Sequence, residues 1–238
     1  MGDNANKYID IESEDQLKFN HPFTAIVASP TGGGKTTLCF KLIDNLMNIT
    51  TPKINKVIYL YSSYQKIFEK YEKRVFFTKD QRYLNPFTPP EGCNVIIFVD
   101  DLMNELSESD ALLNFYTKHS HHTGVSIVLL MQNYFFPSKK LKSVRDNTQY
   151  VIIGKHRTDV SKIDILARQI EGVRNWRYFV DVYNDVTTNE DGKKELIEMF
   201  LLIDLSPRSK ISHITKYRTH FWNLFNQVLY LKHPDLKK

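Results

Sequence analysis

The sequence has 238 residues, of which 42% are hydrophobic and 25% charged, and this balance excludes a wholly disordered chain. Its two cysteines exclude a disulfide framework and favour a reducing, intracellular compartment. No apolar run approaches the roughly 18–20 residues that span a bilayer, so we expect no membrane association. The net charge of +5 is uneven, because the first 19 residues sum to −3 and residues 206–238 sum to +6. The basic end is typical of a polyanion-binding segment or of a solvated tail.

Short apolar runs dominate the first two thirds of the chain. They predict buried strands at residues 23–28, 57–61, 95–99, 126–131 and 150–154. These runs do not alternate with polar residues, which indicates a parallel sheet covered by helices on both faces. Apolar residues at helical spacing predict helices at 36–47, 110–116 and 160–170, whereas the proline-rich residues 78–92 predict a loop.

The last third of the chain has a different pattern of apolar residues and turns. Residues 178–180 and 199–203 predict two strands, and the turn-rich residues 187–194 between them indicate an antiparallel pair. Residues 220–231 predict an aromatic-rich helix. The predicted fold is therefore α/β, with a mostly parallel central sheet flanked by helices and an appended β-hairpin. We divide it into an acidic N-terminal extension (1–19), a main domain (20–205) and a basic, aromatic-rich C-terminal segment (206–238).

A glycine-rich loop between the first strand and the first helix carries the strongest chemical signal. It matches a Walker A phosphate-binding loop except that serine replaces the usual first glycine. Its backbone N–H groups and the helix N-terminus favour phosphate, Lys35 reaches the β/γ oxygens, and the Thr36 hydroxyl suits Mg²⁺. The predicted nucleotide-binding residues are Ser29, Pro30, Thr31, Gly32, Gly33, Gly34, Lys35, Thr36 and Thr37.

Acidic and amide side chains end two of the later strands. Asp100 and Asp101 follow the run at 95–99, about 65 residues after Lys35, in a Walker B pattern. We expect Asp100 to hold Mg²⁺ and Asp101 to polarise the attacking water, with Glu105 as the alternative base. Gln132 ends the run at 126–131 and is the predicted sensor of the γ-phosphate, on a strand lying between the two Walker strands.

Four segments together resemble a known family. SPTGGGKTT, IIFVDDLMNE, HSHHTGVSIVLLMQNYF and RDNTQYVIIGKHRTD are similar to the genome-packaging ATPases of the FtsK–HerA superfamily. The similarity is to the poxvirus-type branch of large DNA viruses, adintoviruses and Maverick/Polinton elements, over about residues 20–205. It implies a RecA-like (ASCE) P-loop core with ATP and Mg²⁺. It also implies a homo-oligomeric ring that moves double-stranded DNA into a capsid without reading its sequence, contacts with capsid or portal proteins, and action at a viral assembly site or in the virion.

In such a ring, an arginine from one subunit can complete the ATP site of the next, and the sequence does not identify this arginine uniquely. The segment 117–123 departs from the family pattern, so the remaining candidates for a trans-acting arginine finger are Arg145 and Arg157, which match family arginines. Either could instead be a surface salt-bridge residue.

Two further groups of charged or metal-ligating residues each allow more than one interpretation. The basic residues 139–145 predict a loop that faces either DNA or solvent. The histidines at 119, 121 and 122 fit a solvated or interface loop better than a zinc site.

Three functions remain open from the sequence. The first is a DNA-packaging ATPase, and the second is a cellular-type HerA/FtsK DNA pump or helicase. The third is a slow nucleotide-dependent assembly switch.

Overall fold

The computed structural model describes residues 14–156, 160–189, 192–209, 211 and 216–231. The described strands are β1 (Phe19–Asn20), β2 (Thr24–Ala28), β3 (Thr50–Thr51), β4 (Lys56–Tyr61), β5 (Val75–Thr78), β6 (Val95–Asp100), β7 (Val125–Met131), β8 (Tyr150–Ile153), β9 (Leu201–Asp204), β10 (Tyr217–Thr219) and β11 (Val228–Tyr230). The described α-helices are α1 (Lys35–Ile49), α2 (Met103–Leu106), α3 (Asp110–Asn114), α4 (Ser120–Thr123), α5 (Lys139–Asp146) and α6 (Val160–Thr187). A π-helical turn, Phe115–His119, joins α3 to α4.

Nine of the described strands form one sheet in the order β11-β10-β9-β8-β2-β7-β6-β4-β5. The six strands from β8 to β5 in this order are parallel. Strand β9 runs antiparallel to β8, β10 to β9, and β11 to β10. β1 and β3 form a separate two-stranded parallel pair. Strand β7 lies between β2, which leads into the phosphate loop, and β6, which carries the acids, as predicted. The α/β, RecA-like arrangement is confirmed.

The sheet is buried on both faces. Alternate residues of its central strands enter two separate cores, so that Ile26 and Ile97 join one and Val27 and Phe98 the other. Helix α1 covers the second core, while α3, α5 and α6 cover the first. Burial on both faces explains why the strands are apolar throughout. Within the described ranges, no helix is both long and apolar enough to cross a membrane.

The predicted strand at 178–180 is wrong, because these residues lie within α6. Helix α6 is interrupted at Gly172, whose φ of 74° is left-handed, and then continues to Thr187. Phe179, Val182 and Val186 are all buried, at a spacing that forms one helical stripe. A short run of aromatic and β-branched residues fits a buried helix as well as a strand, and here the helix is formed.

The predicted helix at 220–231 is also wrong. His220 has a left-handed φ of 54°, and Asn223 caps a short 3₁₀ turn at Leu224–Asn226. The chain then returns as β11 beside β10, so the appended hairpin is formed by β10 and β11. These strands extend the main sheet through β9. Strand β5 was not predicted.

Candidate functional site

The phosphate loop joins β2 to α1 at the carboxyl edge of the sheet. Gly32 and Gly34 have left-handed φ values of 73° and 88°. A Cβ atom on Gly33 would lie 2.1 Å from the Ser29 Oγ and 2.9 Å from the Pro30 carbonyl oxygen, so no side chain fits there. The loop geometry therefore requires the glycine run, and it presents backbone N–H groups at a helix N-terminus, where anions bind.

Lys35 folds over the phosphate loop. Its Nζ donates to the carbonyl oxygens of Ser29, at 2.5 Å, and of Pro30, at 3.0 Å. Burial lowers the pKa of Lys35 from its ordinary value, while the nearby carboxylates of Asp100 and Asp101 act in the opposite direction. The side chain is thus a positive charge held beside the phosphate loop, and its contact with the β/γ oxygens of a nucleotide stays a prediction.

Asp100 is the last residue of β6 and is buried. Its Oδ2 accepts a hydrogen bond of 2.7 Å from the Tyr59 hydroxyl, and the Thr36 side chain lies near enough to lower the pKa of this carboxyl. Burial is the main cause of a raised pKa for Asp100, and the hydrogen bond from Tyr59 opposes it. A carboxylate beside a threonine hydroxyl is the oxygen donor set that Mg²⁺ prefers. The residues present therefore fit the predicted Mg²⁺ site.

Asp101 turns away from the buried strand. Its φ of 55° is left-handed and unusual for a non-glycine residue, and its side chain is exposed. Its Oδ1 accepts from Gln132 Nε2 at 3.2 Å, and its Oδ2 accepts from Ser62 Oγ at 3.4 Å. The predicted base and the predicted sensor are thus in direct contact. Glu105 is exposed on α2, whereas its neighbour Asn104 lines the cavity.

These groups surround one cavity of about 650 Å³, a size that suits a nucleotide. Its lining includes the phosphate loop, both acids and the sensor. The lining residues are Thr31, Gly32, Gly34, Lys35, Thr36, Thr37, Gln65, Asp100, Asp101, Met103, Asn104, Leu130, Gln132, Asn133, Phe136, Pro137 and Leu196. Ser29, Pro30 and Gly33 belong to the phosphate loop but do not line the cavity.

The two predicted trans-acting arginines are placed differently. Arg145 donates to the carbonyl oxygens of Tyr134, at 3.1 Å, and Phe136, at 3.3 Å, within its own chain. Arg157 lies outside the described residues.

The basic run at 139–145 is not the predicted loop. It forms α5, because the Ser138 Oγ caps the helix by accepting from the backbone N–H of Leu141. Lys139 and Lys142 are exposed, while Lys140 is paired with Asp110 at 2.9 Å. The side chains of the histidines at 119, 121 and 122 lie outside the described part of the chain.

Sequence reasoning missed several contributors to the site. Ser62 and Gln65 follow β4, and the general rule that parallel strands present their carboxyl ends at one edge would have indicated them. Tyr59 lies inside that strand, where only packing shows its contact with Asp100. Leu196 gave no signal, because its segment was assigned to a hairpin.

No family model matches the chain, and no curated protein matches it. Among solved structures, the genome-packaging NTPase B204 from Sulfolobus turreted icosahedral virus 2, in complex with ATPγS, is 12% identical with a TM-score of 0.47, covering 77% of this chain and 92% of that chain. The DNA-packaging ATPase B204 from Sulfolobus turreted icosahedral virus is 12% identical with a TM-score of 0.48, covering 78% and 94%. The cytoplasmic domain of the Thermomonospora curvata type VII secretion ATPase EccC is 14% identical with a TM-score of 0.42, covering 55% and 20%. At these identities function has to be argued from this chain's own site residues.

Proposed function

We propose that this chain is an ATP-hydrolysing motor of the FtsK–HerA superfamily that moves double-stranded DNA. We further propose that it belongs to the poxvirus-type branch and moves this DNA into a viral capsid. One observation supports the ATPase activity above all others. Lys35 and Thr36 begin α1, Asp100 and Asp101 lie at the end of β6, and Gln132 follows β7, yet all five line a single cavity of nucleotide size.

Phosphate binding follows from the loop. Its N–H groups and the N-terminal end of α1 supply donors and positive potential to the β-phosphate, and Lys35 supplies charge at the β/γ oxygens. Thr36 and Asp100 would hold Mg²⁺, which when bound neutralises charge on the phosphate oxygens. The buried position of Asp100 and its hydrogen bond from Tyr59 keep that carboxylate in one orientation.

Hydrolysis requires a water aligned with the γ-phosphate. Asp101 is exposed to the cavity and accepts from the side chain of Gln132, so both groups can contact one water beside the γ-phosphate. Asp101 would accept the hydrogen bond of the attacking water, and the Gln132 amide would donate to a phosphate oxygen. Such positioning of the nucleophile is most of what phosphoryl transfer asks of a protein.

The DNA-moving part of the proposal rests on the family resemblance and on charge. In a homo-oligomeric ring, a neighbour would supply a cation to each site, with Arg145 and Arg157 as the candidates. The exposed Lys139 and Lys142 would contact the phosphates of a duplex without reading its bases. The two free cysteines, Cys39 and Cys93, suit a reducing compartment, and capsid or portal proteins at a viral assembly site would be the partners.

Two other functions make different predictions. A cellular-type DNA pump or helicase would be stimulated by DNA but would not bind capsid or portal proteins. A slow assembly switch would bind and hydrolyse ATP with no response to DNA.

The test is the steady-state ATPase rate with and without long duplex DNA, at low and at high salt. We expect DNA to stimulate the rate, and stimulation to weaken as salt rises, because phosphate contacts release counterions. Lys35→Ala should abolish turnover. Replacing Lys139 and Lys142 by alanine should reduce DNA stimulation more than replacing the exposed Lys41 and Lys73. ATPase activity that ignores DNA at low salt would leave only the switch.

A further inference from the structure

The segment that follows the sensor residue has no regular hydrogen-bond ladder of its own. It runs from Asn133 to Ser138, between β7 and α5. Asn133 Oδ1 accepts from the backbone N–H of Phe135 at 2.9 Å, and Ser138 Oγ donates to the carbonyl oxygen of Ser107 at 2.6 Å. The carbonyl oxygen of Phe136 accepts from the Ser138 backbone N–H at 3.0 Å. The carbonyl oxygen of Tyr134 has no backbone donor among the described residues, so it needs a side-chain partner, because carbonyl groups outside a helix or strand must find donors elsewhere.

Arg145 is that partner. From the last turn of α5 it reaches back over the segment and donates from one guanidinium nitrogen to the carbonyl oxygens of Tyr134 and Phe136. Its guanidinium carbon also lies 5.7 Å from the ring centroid of Tyr134 and 5.8 Å from that of Phe135, within cation–π range. The side chain is half-buried. One arginine thus makes contacts with three consecutive residues.

The residues that Arg145 holds are walls of the nucleotide cavity. Phe136 and Pro137 line the cavity together with Asn133, and Gln132 immediately precedes them. The Gln132 amide in turn contacts Asp101 at 3.2 Å. A displacement of this segment would therefore move the predicted sensor relative to the predicted base.

We propose that Arg145 is a positioning residue that acts within its own subunit. By binding the carbonyl groups of Tyr134 and Phe136, it fixes the segment after β7 and so holds the Gln132 amide against Asp101 and the γ-phosphate. A guanidinium engaged in this way is not available to a neighbouring site, which leaves Arg157 as the trans-acting candidate of the two. This inference rests on the proposed ATPase function.

The test compares Arg145→Ala with Arg145→Lys and with a control, Arg82→Ala. Arg82 is highly exposed and pairs only with the nearby Asp80 among the described residues, so its loss should leave the site intact. We expect Arg145→Ala to lower kcat about 10- to 100-fold, because small misplacements of catalytic groups have effects of that size, while KM changes less than about 2-fold. Arg145→Lys should restore part of kcat, since a lysine can still donate to one carbonyl.

Mixing subunits separates action within a subunit from action on a neighbour. Arg145→Ala protein is mixed with Lys35→Ala protein, and co-purification of tagged with untagged subunits confirms that they exchange. If Arg145 acts in its own subunit, every site carries one defect, and the mixture shows no more than the summed activities. Activity above that sum would show a trans role and overturn the proposal, as would an unchanged kcat in Arg145→Ala.

Amide hydrogen exchange provides a readout that does not need turnover. Arg145→Ala should speed exchange at residues 133–138, whereas Arg82→Ala should not. If the wild-type protein lacks ATPase activity, the proposed function fails, and the exchange result still decides whether Arg145 holds this segment. Unchanged exchange at 133–138 would refute the inference.

Discussion

Removal of one buried hydroxyl should weaken the Mg²⁺-dependent part of nucleotide binding. In Tyr59→Phe the ring keeps its neighbours, because it stacks on Phe40 with a centroid distance of 5.5 Å and on Phe98 at 5.9 Å. Only the hydroxyl that donates to Asp100 at 2.7 Å is lost. The substitution therefore alters the electrostatics of Asp100 while leaving the apolar packing of the core in place.

The size of the effect follows from the burial of Asp100. A buried charged acceptor that loses its donor costs about 1–3 kcal/mol, which corresponds to roughly 5- to 150-fold in a binding constant. Loss of a hydrogen-bond partner behind a metal ligand has effects of similar size, about 10- to 100-fold. We therefore expect the Mg²⁺ dependence of ATP-analogue binding to shift to about 10- to 100-fold higher Mg²⁺ concentration.

The direction of the pH dependence also follows. Burial already raises the pKa of Asp100, and the Tyr59 hydrogen bond lowers it. Without that hydrogen bond the pKa rises further, so the carboxylate becomes protonated at a higher pH and metal binding fails earlier as the pH falls. The difference between wild type and variant should be largest at mildly acidic pH and smaller at alkaline pH.

Fluorescent ATP-analogue titrations over Mg²⁺ concentration, repeated at several pH values, measure both effects. Tyr71→Phe is the matched control, since it removes a hydroxyl that donates to Asp44 at 2.9 Å, outside the cavity. Titrations of Tyr59→Phe that coincide with those of the wild type at every pH would refute the role assigned to the Tyr59 hydroxyl in supporting Asp100.

Three further outcomes are expected. Asp101→Asn should bind MgATP but lose about 10²–10⁴-fold in turnover; if a rapid-quench assay instead shows this loss only in Glu105→Gln, the base is Glu105. Gly33→Ala should abolish nucleotide binding by calorimetry, since its Cβ would collide with Ser29; normal affinity would contradict the loop geometry. Burial lowers the pKa of His21 from 6.5 to about 4, so its contribution to stability is complete above pH 6.5 and falls as the pH drops towards 4. The free energy of unfolding should therefore fall by about 2 kcal/mol between pH 7 and pH 5 because of His21. Urea unfolding of the non-titrating His21→Asn should lack this part of the pH dependence, and parallel pH profiles for the two proteins would refute the assignment.

Sequence patterns were enough to predict which residues meet at the candidate site, because most of them lie in short contiguous motifs. The phosphate loop is contiguous, and Asp100, Asp101 and Gln132 each end an apolar strand. Since parallel strands bring their carboxyl ends to one edge, the position of a polar residue at a strand end is enough to place it near the loop. The strand order confirmed this placement, with β7 between β2 and β6.

Contacts between distant segments could not be predicted in the same way. Leu196 reaches the cavity from a 3₁₀ turn before β9, and β11, which pairs with β10, lies within residues for which the sequence predicted a helix. Arg145 is the clearest example of a residue whose role the sequence alone does not decide. An arginine at this position suits a trans-acting finger, and it suits equally well a donor to carbonyl groups of its own chain. Only the positions of Tyr134 and Phe136 distinguish the two.

The two adjacent acids illustrate how the backbone separates their roles. Asp100 ends a strand, is buried, and has its carboxylate held by the Tyr59 hydroxyl, an arrangement that suits the metal-ligand role proposed for it. Asp101 adopts a left-handed φ of 55°, which directs it to the exposed side of the cavity beside Gln132. Such a conformation costs about 1–3 kcal/mol and is retained where the surroundings enforce it. Asparagine tolerates the left-handed region well, so Asp101→Asn removes the charge without adding strain, and its loss of turnover can be attributed to the carboxylate itself.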